Sequence, residues 1–526
     1  MKPIELSEQI TQRWKGRARV LRDAKHPWCD VECFPDILRE LARWLFAELS
    51  YRFAGLIVEE GENEWELRYG FYGRRDEGFV QLLVRRPLPE RTFPSISEHV
   101  HAADWHEREA EDLFGLSFEG HPRLGDFILH DDAWQEGVEP MRHKFDGNKP
   151  VTQRAPKADW RPRRIVEAPG AFAMPIGPVF GALTESVHFQ LETVGEDVIR
   201  TIPRLFYKYR GIEKIAEGRS VEDALLLAER FCGTSAFAHG FAFCQAVESI
   251  CGVEVPARAR TLRVFVAELE RYRHHVTAIE GICESTALAV AASQTAILQE
   301  ELLRLSCVLT GHRYLFGLLV PGGLTRDLQD GVCRETLATA QNILRRLQQI
   351  DKMLRFSSSF LDRLEEVGIV GADEARNHGL VGPVARASGL VRDLRKILPY
   401  SAYTELAFDV PTEREGDGYA RLRILFAEAV QSVRIMEQAF AALREGPVSV
   451  PCPPKSGAAL GWVEAARGAA FQWVRIGDDG LVGRYRIMPP SFANWHGFHL
   501  AAENFAFQDF PIILATFDLS VAENDR

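Results

Sequence analysis

Cys232, Ser235 and His239 open a long helical stretch of this 526-residue chain. On a helix they fall at i, i+3 and i+7, so their side chains share one face. A thiolate beside an imidazole is a pair of metal ligands, and the same pair also packs an ordinary core. A second dense stretch is Trp105-His106-Glu107-Arg108-Glu109-Ala110-Glu111-Asp112-Leu113-Phe114-Gly115, followed by Phe118-Glu119-Gly120-His121-Pro122. In isolation it reads as an amphipathic helix with a charged face, stopped by Gly115 and a His-Pro turn.

The elements that must position these groups fall into two regions. In residues 36–51 the apolar positions Ile37, Leu38, Leu41, Trp44 and Leu45 recur at helical spacing, and strand-like runs follow at 55–60, 65–72 and 79–86. That predicts a small α/β domain with an antiparallel sheet over 1–146. Residues 147–169 turn Pro-rich and charged, the composition of a linker. From 170 to 526 helical patterns dominate, at 221–246, 257–286, 291–310 and 334–367, and helices of this length pack as a bundle. A late hairpin is expected from 471–476 and 483–487. The fold class is α+β.

Composition narrows the function. The chain has 46% hydrophobic and 26% charged residues, an ordinary globular balance, and 63 Lys plus Arg against 74 Asp plus Glu give a formal charge of -11. That excess of acid argues against nucleic acid as a partner. Nine scattered cysteines make no disulfide framework, and the charged N-terminal run lacks the apolar stretch of a signal peptide, so a reducing cytoplasm is expected. The most apolar stretch, 282–298, is interrupted by Glu284, Ser285, Thr286, Ser293, Gln294 and Thr295, so no transmembrane segment is expected.

The order of residues in 105–122 resembles the 30 kDa subunit of respiratory complex I and its hydrogenase relatives. It departs from them in Arg123-Leu124-Gly125-Asp126, where the family usually carries further arginines. Residues 170–526 resemble the large subunit of membrane-bound, energy-converting nickel-iron hydrogenases of the formate hydrogenlyase type, and the homologous 49 kDa subunit of complex I. The matching residues include Tyr209-Arg210-Gly211-Ile212-Glu213-Lys214, Pro321-Gly322-Gly323, Gly382-Pro383-Val384-Ala385-Arg386-Ala387-Ser388-Gly389, Glu464-Ala465-Ala466-Arg467-Gly468 and Phe507-Gln508-Asp509-Phe510-Pro511. The fusion of the two regions is itself characteristic of formate hydrogenlyase large subunits.

This resemblance implies a small α/β domain joined to a large, mainly α-helical bundle. It also implies a peripheral arm on the cytoplasmic face of a membrane. The partners it implies are a 4Fe-4S small subunit, a ferredoxin-like subunit, and membrane-embedded anchor and antiporter-like subunits. With no cluster-binding cysteine array, no Fe-S cluster is expected in this chain.

The departures are chemical. A nickel-iron site needs four thiolates from two Cys-x-x-Cys pairs. The positions here hold Cys232 and Ser235, then Ser520 and Glu523, so no nickel-iron centre and no hydrogen turnover are expected. The quinone ligands of complex I are missing too: Gly177-Pro178-Val179-Phe180 replaces the histidine loop, and Gly233 stands where a tyrosine should fall. By the resemblance, Glu213 matches a proton-relaying glutamate and Arg467 the arginine over the metal site, and Asp518 remains. With His239, these residues form a vestigial cavity suited to proton handling, or a structural ion cluster. Three readings follow: a coupling subunit without nickel, an inert structural connector, and a divergent quinone-reducing subunit.

Overall fold

The computed structural model describes residues 3–21, 28–131, 133–135, 137–149, 167, 169–180 and 185–526. Two compact units emerge, one built mainly from the N-terminal region and one from the remainder. Most of the expected linker, residues 150–166 and 168, lies outside the described residues.

The smaller unit is built on a five-stranded sheet in the order Ala18–Val20, Trp28–Cys33, Phe79–Pro87, Glu64–Tyr72 and Arg52–Glu60. Alternation explains the interior strand Glu64–Tyr72: Trp65, Leu67, Tyr69 and Phe71 are all buried, one face at a period of two. The last three strands in chain order form the expected antiparallel meander. The sheet as a whole is mixed, because Trp28–Cys33 pairs parallel to Phe79–Pro87. A parallel pair needs a crossover, and the 45 residues between the two strands supply it. The expected helix over 36–51 divides into a tight turn Pro35–Ile37, an α-helix Leu38–Arg43 and a wider turn Trp44–Glu48. The apolar spacing marks the buried side and does not report the width of each turn.

The larger unit has a helical centre. Helix Ala257–Ser285 packs against Gly418–Ala441 and Ala289–Thr310, with Asp330–Arg355 alongside. Asp417 caps Gly418–Ala441 by accepting a 2.7 Å hydrogen bond from the Ala420 N–H. The expected single helix over 221–246 is broken into Val221–Arg230 and Ala236–Cys251. The late hairpin forms, and a third strand missed in the sequence joins it, giving Gly457–Ala465, Gly468–Ile476 and Val482–Met488. This sheet lies close on helix Ala236–Cys251: a Cβ at Gly461 would stand 1.9 Å from the Ala242 carbonyl oxygen. The described residues of 170–204 are not helical. They supply Ala171–Ile176, His188–Val194 and Asp197–Arg204 to a second sheet, completed by Phe505–Ala506.

Candidate functional site

In the smaller unit the 105–122 motif forms helix Asp104–Phe114, which Gly115 ends in the left-handed conformation at φ 69°. Its charged face is not solvated. Glu107 accepts hydrogen bonds from Ser95 Oγ and the Ile96 N–H. Arg108 donates to the carbonyls of Gly125 and Asp126, and Asp112 accepts from the N–H groups of Ile128 and Leu129. The motif therefore staples the following loop to the helix. Burial lifts Glu107 to about 7 against its hydrogen bonds, and lifts Asp112 to about 6.

In the larger unit the residues singled out by sequence converge through three devices. The first is the break at 231–235. Cys232 is extended, at φ -133° and ψ 103°, and a tight turn Gly233–Ser235 leads into helix Ala236–Cys251, which carries His239. Cys232 and His239 thus meet across a turn, not along one helical face as expected. The second is the corner between strands Gly457–Ala465 and Gly468–Ile476, which presents Arg467. Gly382 makes room for it: a Cβ there would lie 2.0 Å from the Arg467 carbonyl oxygen. The third is the end of helix Phe510–Phe517, where Asp518 adopts φ 49° and turns the chain so that Ser520 and Glu523 face inward.

At the centre, Cys232 Sγ lies 3.4 Å from Glu523 Oε1, and His239 Nε2 lies 3.5 Å from that same oxygen. The sulfur, the imidazole nitrogen and the carboxylate oxygen are all within 4.8 Å of one another, and all three residues are buried. Arg467 Nη1 is 3.4 Å from Glu523 Oε1, 3.0 Å from Thr234 Oγ1 and 3.9 Å from the sulfur. Its Nε donates to the Asp518 carbonyl at 2.6 Å and its Nη2 to Asp518 Oδ1 at 3.4 Å. The Ser491 N–H donates to Glu523 Oε2 at 3.1 Å. Ser520 Oγ accepts from the Glu523 N–H at 3.2 Å and donates to Glu185. Ser235 Oγ is buried with no hydrogen-bond partner.

Charge in this cluster is set by competition between burial and pairing. Burial, helped by Glu523, pushes the Cys232 thiol up to about 12. Burial also opposes ionisation of Glu523, but His239 and Arg467 outweigh it and hold the carboxyl well below its usual range. Asp518 is held low in the same way by Arg467 and His274, while burial pushes His274 down. Asp518 is therefore a carboxylate and His274 a neutral imidazole, joined at 2.5 Å.

His274 was not foreseen as a site residue. It sits beside His275 on helix Ala257–Ser285, and His275 Nε2 meets Glu428 Oε2 at 3.0 Å. Glu428 pairs with Arg386 at 2.6 Å, Arg386 with Glu464 at 2.8 Å, and Arg395 with both Asp393 and Glu268. A chain of buried ionisable groups thus extends from Cys232 to Glu268. Beside it, a cavity is lined by Ala238, Glu270, Arg271, Tyr400 and Glu464 among others.

Glu213 is buried elsewhere. Its oxygens receive Arg484, Arg486, Arg526 and the Ile487 N–H at 2.9 to 3.4 Å, and among the described residues none of these bonds links it to Cys232, His239, Arg467 or Glu523. The expected partnership of Glu213 with Arg467 is replaced by one of Asp518 and Glu523 with Arg467. In the loop over 177–180 Val179 is exposed and offers no hydrogen-bonding side chain.

The donor set does not fit a nickel-iron centre. One sulfur stands where four thiolates are needed, Ser520 is occupied by Glu185 and the Glu523 N–H, and a guanidinium reaches toward the remaining sulfur. No helix among the described residues is long and apolar enough to cross a membrane.

Comparison with known proteins follows the same division. Residues 31–151 match the family of the respiratory-chain NADH dehydrogenase 30 kDa subunit, 292–456 that of the 49 kDa subunit, and 210–279 that of nickel-dependent hydrogenases. The chain is 31% identical to formate hydrogenlyase subunit 5 of Escherichia coli over 455 residues, covering 85% of this chain and 79% of that protein. It is 29% identical to hydrogenase-4 component G of the same organism over 440 residues, 83% and 76% of the two chains. It is 28% identical to the C/D fusion of the NADH-quinone oxidoreductase of Bdellovibrio bacteriovorus over 506 residues, 88% of each.

Proposed function

Because the chain belongs to the family that unites formate hydrogenlyase subunit 5 with the C/D fusions of NADH-quinone oxidoreductases, we propose that it is a peripheral-arm subunit of a membrane-bound, complex I-like oxidoreductase complex. In this reading the complex couples electron transfer to ion translocation, and the degenerate nickel site turns over no hydrogen. The observation that carries it is the cluster around Cys232: of four ligand positions only one keeps its thiolate, and Arg467, Asp518 and Glu523 have closed an ion network around it. The partners are a 4Fe-4S small subunit, a ferredoxin-like subunit and membrane-embedded anchor and antiporter-like subunits, with this chain on the cytoplasmic face. Electron arrival at a cluster in the small subunit would change the local field, and Asp518 with His274 is the pair placed to answer by taking up or passing a proton.

A second reading, an inert connector that holds the cluster-bearing partner and the membrane arm in register, is favoured by the saturation of Glu213 with three arginines. Isolation of the complex from native membranes separates these readings from a hydrogenase. The expected result is no stoichiometric nickel and no hydrogen-dependent dye reduction; nickel with dye reduction would overturn the proposal. Within the assembled complex, Asp518→Asn that leaves coupled activity intact favours the connector, and loss of activity with assembly intact favours proton handling.

A further inference from the structure

The three buried side chains Cys232, His239 and Glu523 are a mixed donor set whose donor atoms lie within 4.8 Å of one another. We propose that Cys232, His239 and Glu523 bind a single divalent cation of the zinc class, in a tetrahedral site with one position left open. The inference rests on the reading that the nickel-iron centre is lost, and it concerns what the same residues do in its place.

The geometry is quantitative. For a tetrahedral zinc ion with Zn–S of about 2.3 Å and Zn–N and Zn–O of about 2.0 Å, the sulfur–oxygen edge is about 3.5 Å and the nitrogen–oxygen edge about 3.3 Å. The observed separations are 3.4 Å and 3.5 Å, and all three donor atoms lie within 4.8 Å of one another. The sulfur–oxygen distance is that of the Cys232 thiol donating to Glu523 Oε1 and equally that of a tetrahedral edge, while the 3.5 Å nitrogen–oxygen distance is long for a hydrogen bond and ordinary for such an edge. His239 Nε2 is fully buried and makes no hydrogen bond, although it faces the carboxylate.

The surroundings supply what a bound imidazole needs. Metal-ligating histidines donate their other ring nitrogen to an acceptor. His239 Nδ1 lies 3.4 Å from the amide of the buried Gln472, whose other end meets Tyr485 Oη at 2.8 Å. With the amide turned, its oxygen accepts from Nδ1–H and its NH2 donates to Tyr485, which leaves Nε2 free for the metal.

Charge also balances. Binding takes the thiol proton, M2+ plus Cys-SH giving M2+ bound to Cys-S- with one proton released to solvent, so the thiolate and the Glu523 carboxylate neutralise the dication. Arg467 has Asp518 as a counter-ion through Nη2, so on binding its Nη1, now 3.4 Å from Glu523 Oε1 and 3.9 Å from the sulfur, must yield that oxygen to the metal. One thiolate, one imidazole and one carboxylate suit zinc better than the four-sulfur environment of nickel-iron, and three protein ligands leave the fourth position to water. Ser235, buried on the intervening turn with an unpaired hydroxyl, carries a group able to hydrogen-bond such a water.

The test uses the complex isolated from native membranes and washed with chelator to strip surface metal. Wild type is expected to hold about one zinc per chain, falling at least roughly tenfold in Cys232→Ser, His239→Ala and Glu523→Gln complexes that still assemble. Zinc X-ray absorption on the wild type should show a single sulfur with the remaining ligands nitrogen or oxygen, so the inference stays testable should a variant fail to assemble. Zinc content unchanged by Cys232→Ser, absorption showing no sulfur ligand, or no zinc before and after incubation with the metal would each overturn the inference and leave the loss of nickel standing. Stoichiometric nickel would overturn the underlying reading as well.

Discussion

Glu428 is the residue on which the buried ion network of the larger unit depends. It lies on helix Gly418–Ala441, fully enclosed, with Arg386 Nε at 2.6 Å, His275 Nε2 at 3.0 Å and Arg271 Nη1 at 3.9 Å. Burial alone would neutralise this carboxyl, but Arg386 and His275 outweigh it and hold its pKa well below the usual range. Replacement by Gln keeps the shape and one acceptor, removes the charge, and leaves Arg386 leaning on Glu464 and Arg271 on Glu268 in a site closed to water. Breaking a buried pair costs about 3–5 kcal/mol, and because Gln retains one acceptor the expected loss is about 3 kcal/mol. With a urea m-value near the upper end for a unit of this size, that lowers the midpoint by about 1 M. The assay is urea unfolding of the purified protein followed by near-ultraviolet circular dichroism. Since a depressed carboxyl stabilises the fold above its unfolded pKa, the gap between wild type and Glu428→Gln should be full at neutral pH and close as the pH falls below the carboxylate range. The control is Glu300→Ala. Glu300 also pairs with two arginines and titrates at about 2, but it does so at the surface, where solvent and salt screen the pair, so no midpoint change should be resolved. A Glu428→Gln midpoint equal to that of the control would refute the reasoning, because it would mean that the desolvation cost of the network cancels its attraction.

Two further outcomes follow from the same kind of argument. In the smaller unit the Glu107 carboxyl titrates at about 7 when folded, so between pH 4.5 and 7 the native state holds a proton that the unfolded state has released, and stability falls as pH rises. Glu107→Gln, which preserves the contacts to Ser95 and Ile96, should remove about 3 kcal/mol of that pH dependence; parallel wild-type and variant stability curves from pH 4.5 to 7 would count against it. Gly461→Ala places a Cβ 1.9 Å from the Ala242 carbonyl oxygen and 2.9 Å from the Ala246 nitrogen, both backbone atoms that cannot swing aside. The sheet must lift off helix Ala236–Cys251, at a cost of about 1–3 kcal/mol in thermal or urea unfolding, and a neutral result would mean that the strand can shift freely.

What could be read from the sequence was local. Alternation in 65–72 gives a strand because Trp65, Leu67, Tyr69 and Phe71 must share one face, and the glycine after Phe114 ends its helix by the same short-range logic. The helices over 257–286 and 291–310 appear as Ala257–Ser285 and Ala289–Thr310. The residue types at 232, 235, 520 and 523 are likewise read directly, one sulfur among four positions, and need no fold. Failure came wherever the deciding contact was distant. The strands of 171–204 are short and irregularly apolar, and they are fixed by pairing with one another and with Phe505–Ala506.

Charged residues misled most, for a physical reason. A run such as Glu107-Arg108-Glu109 has the same letters whether it faces water or a partner. Spacing along a helix cannot distinguish them, because the counter-ion or backbone donor that makes burial tolerable lies elsewhere in the chain. His274 reaches Asp518 across 244 positions, and His275 reaches Glu428 across 153. The site around Cys232 is therefore half legible. The residue types at its four positions can be counted from the sequence, whereas the meeting of one sulfur, one imidazole and one carboxylate within 4.8 Å exists only because a broken helix, a strand corner and a C-terminal turn meet at one point.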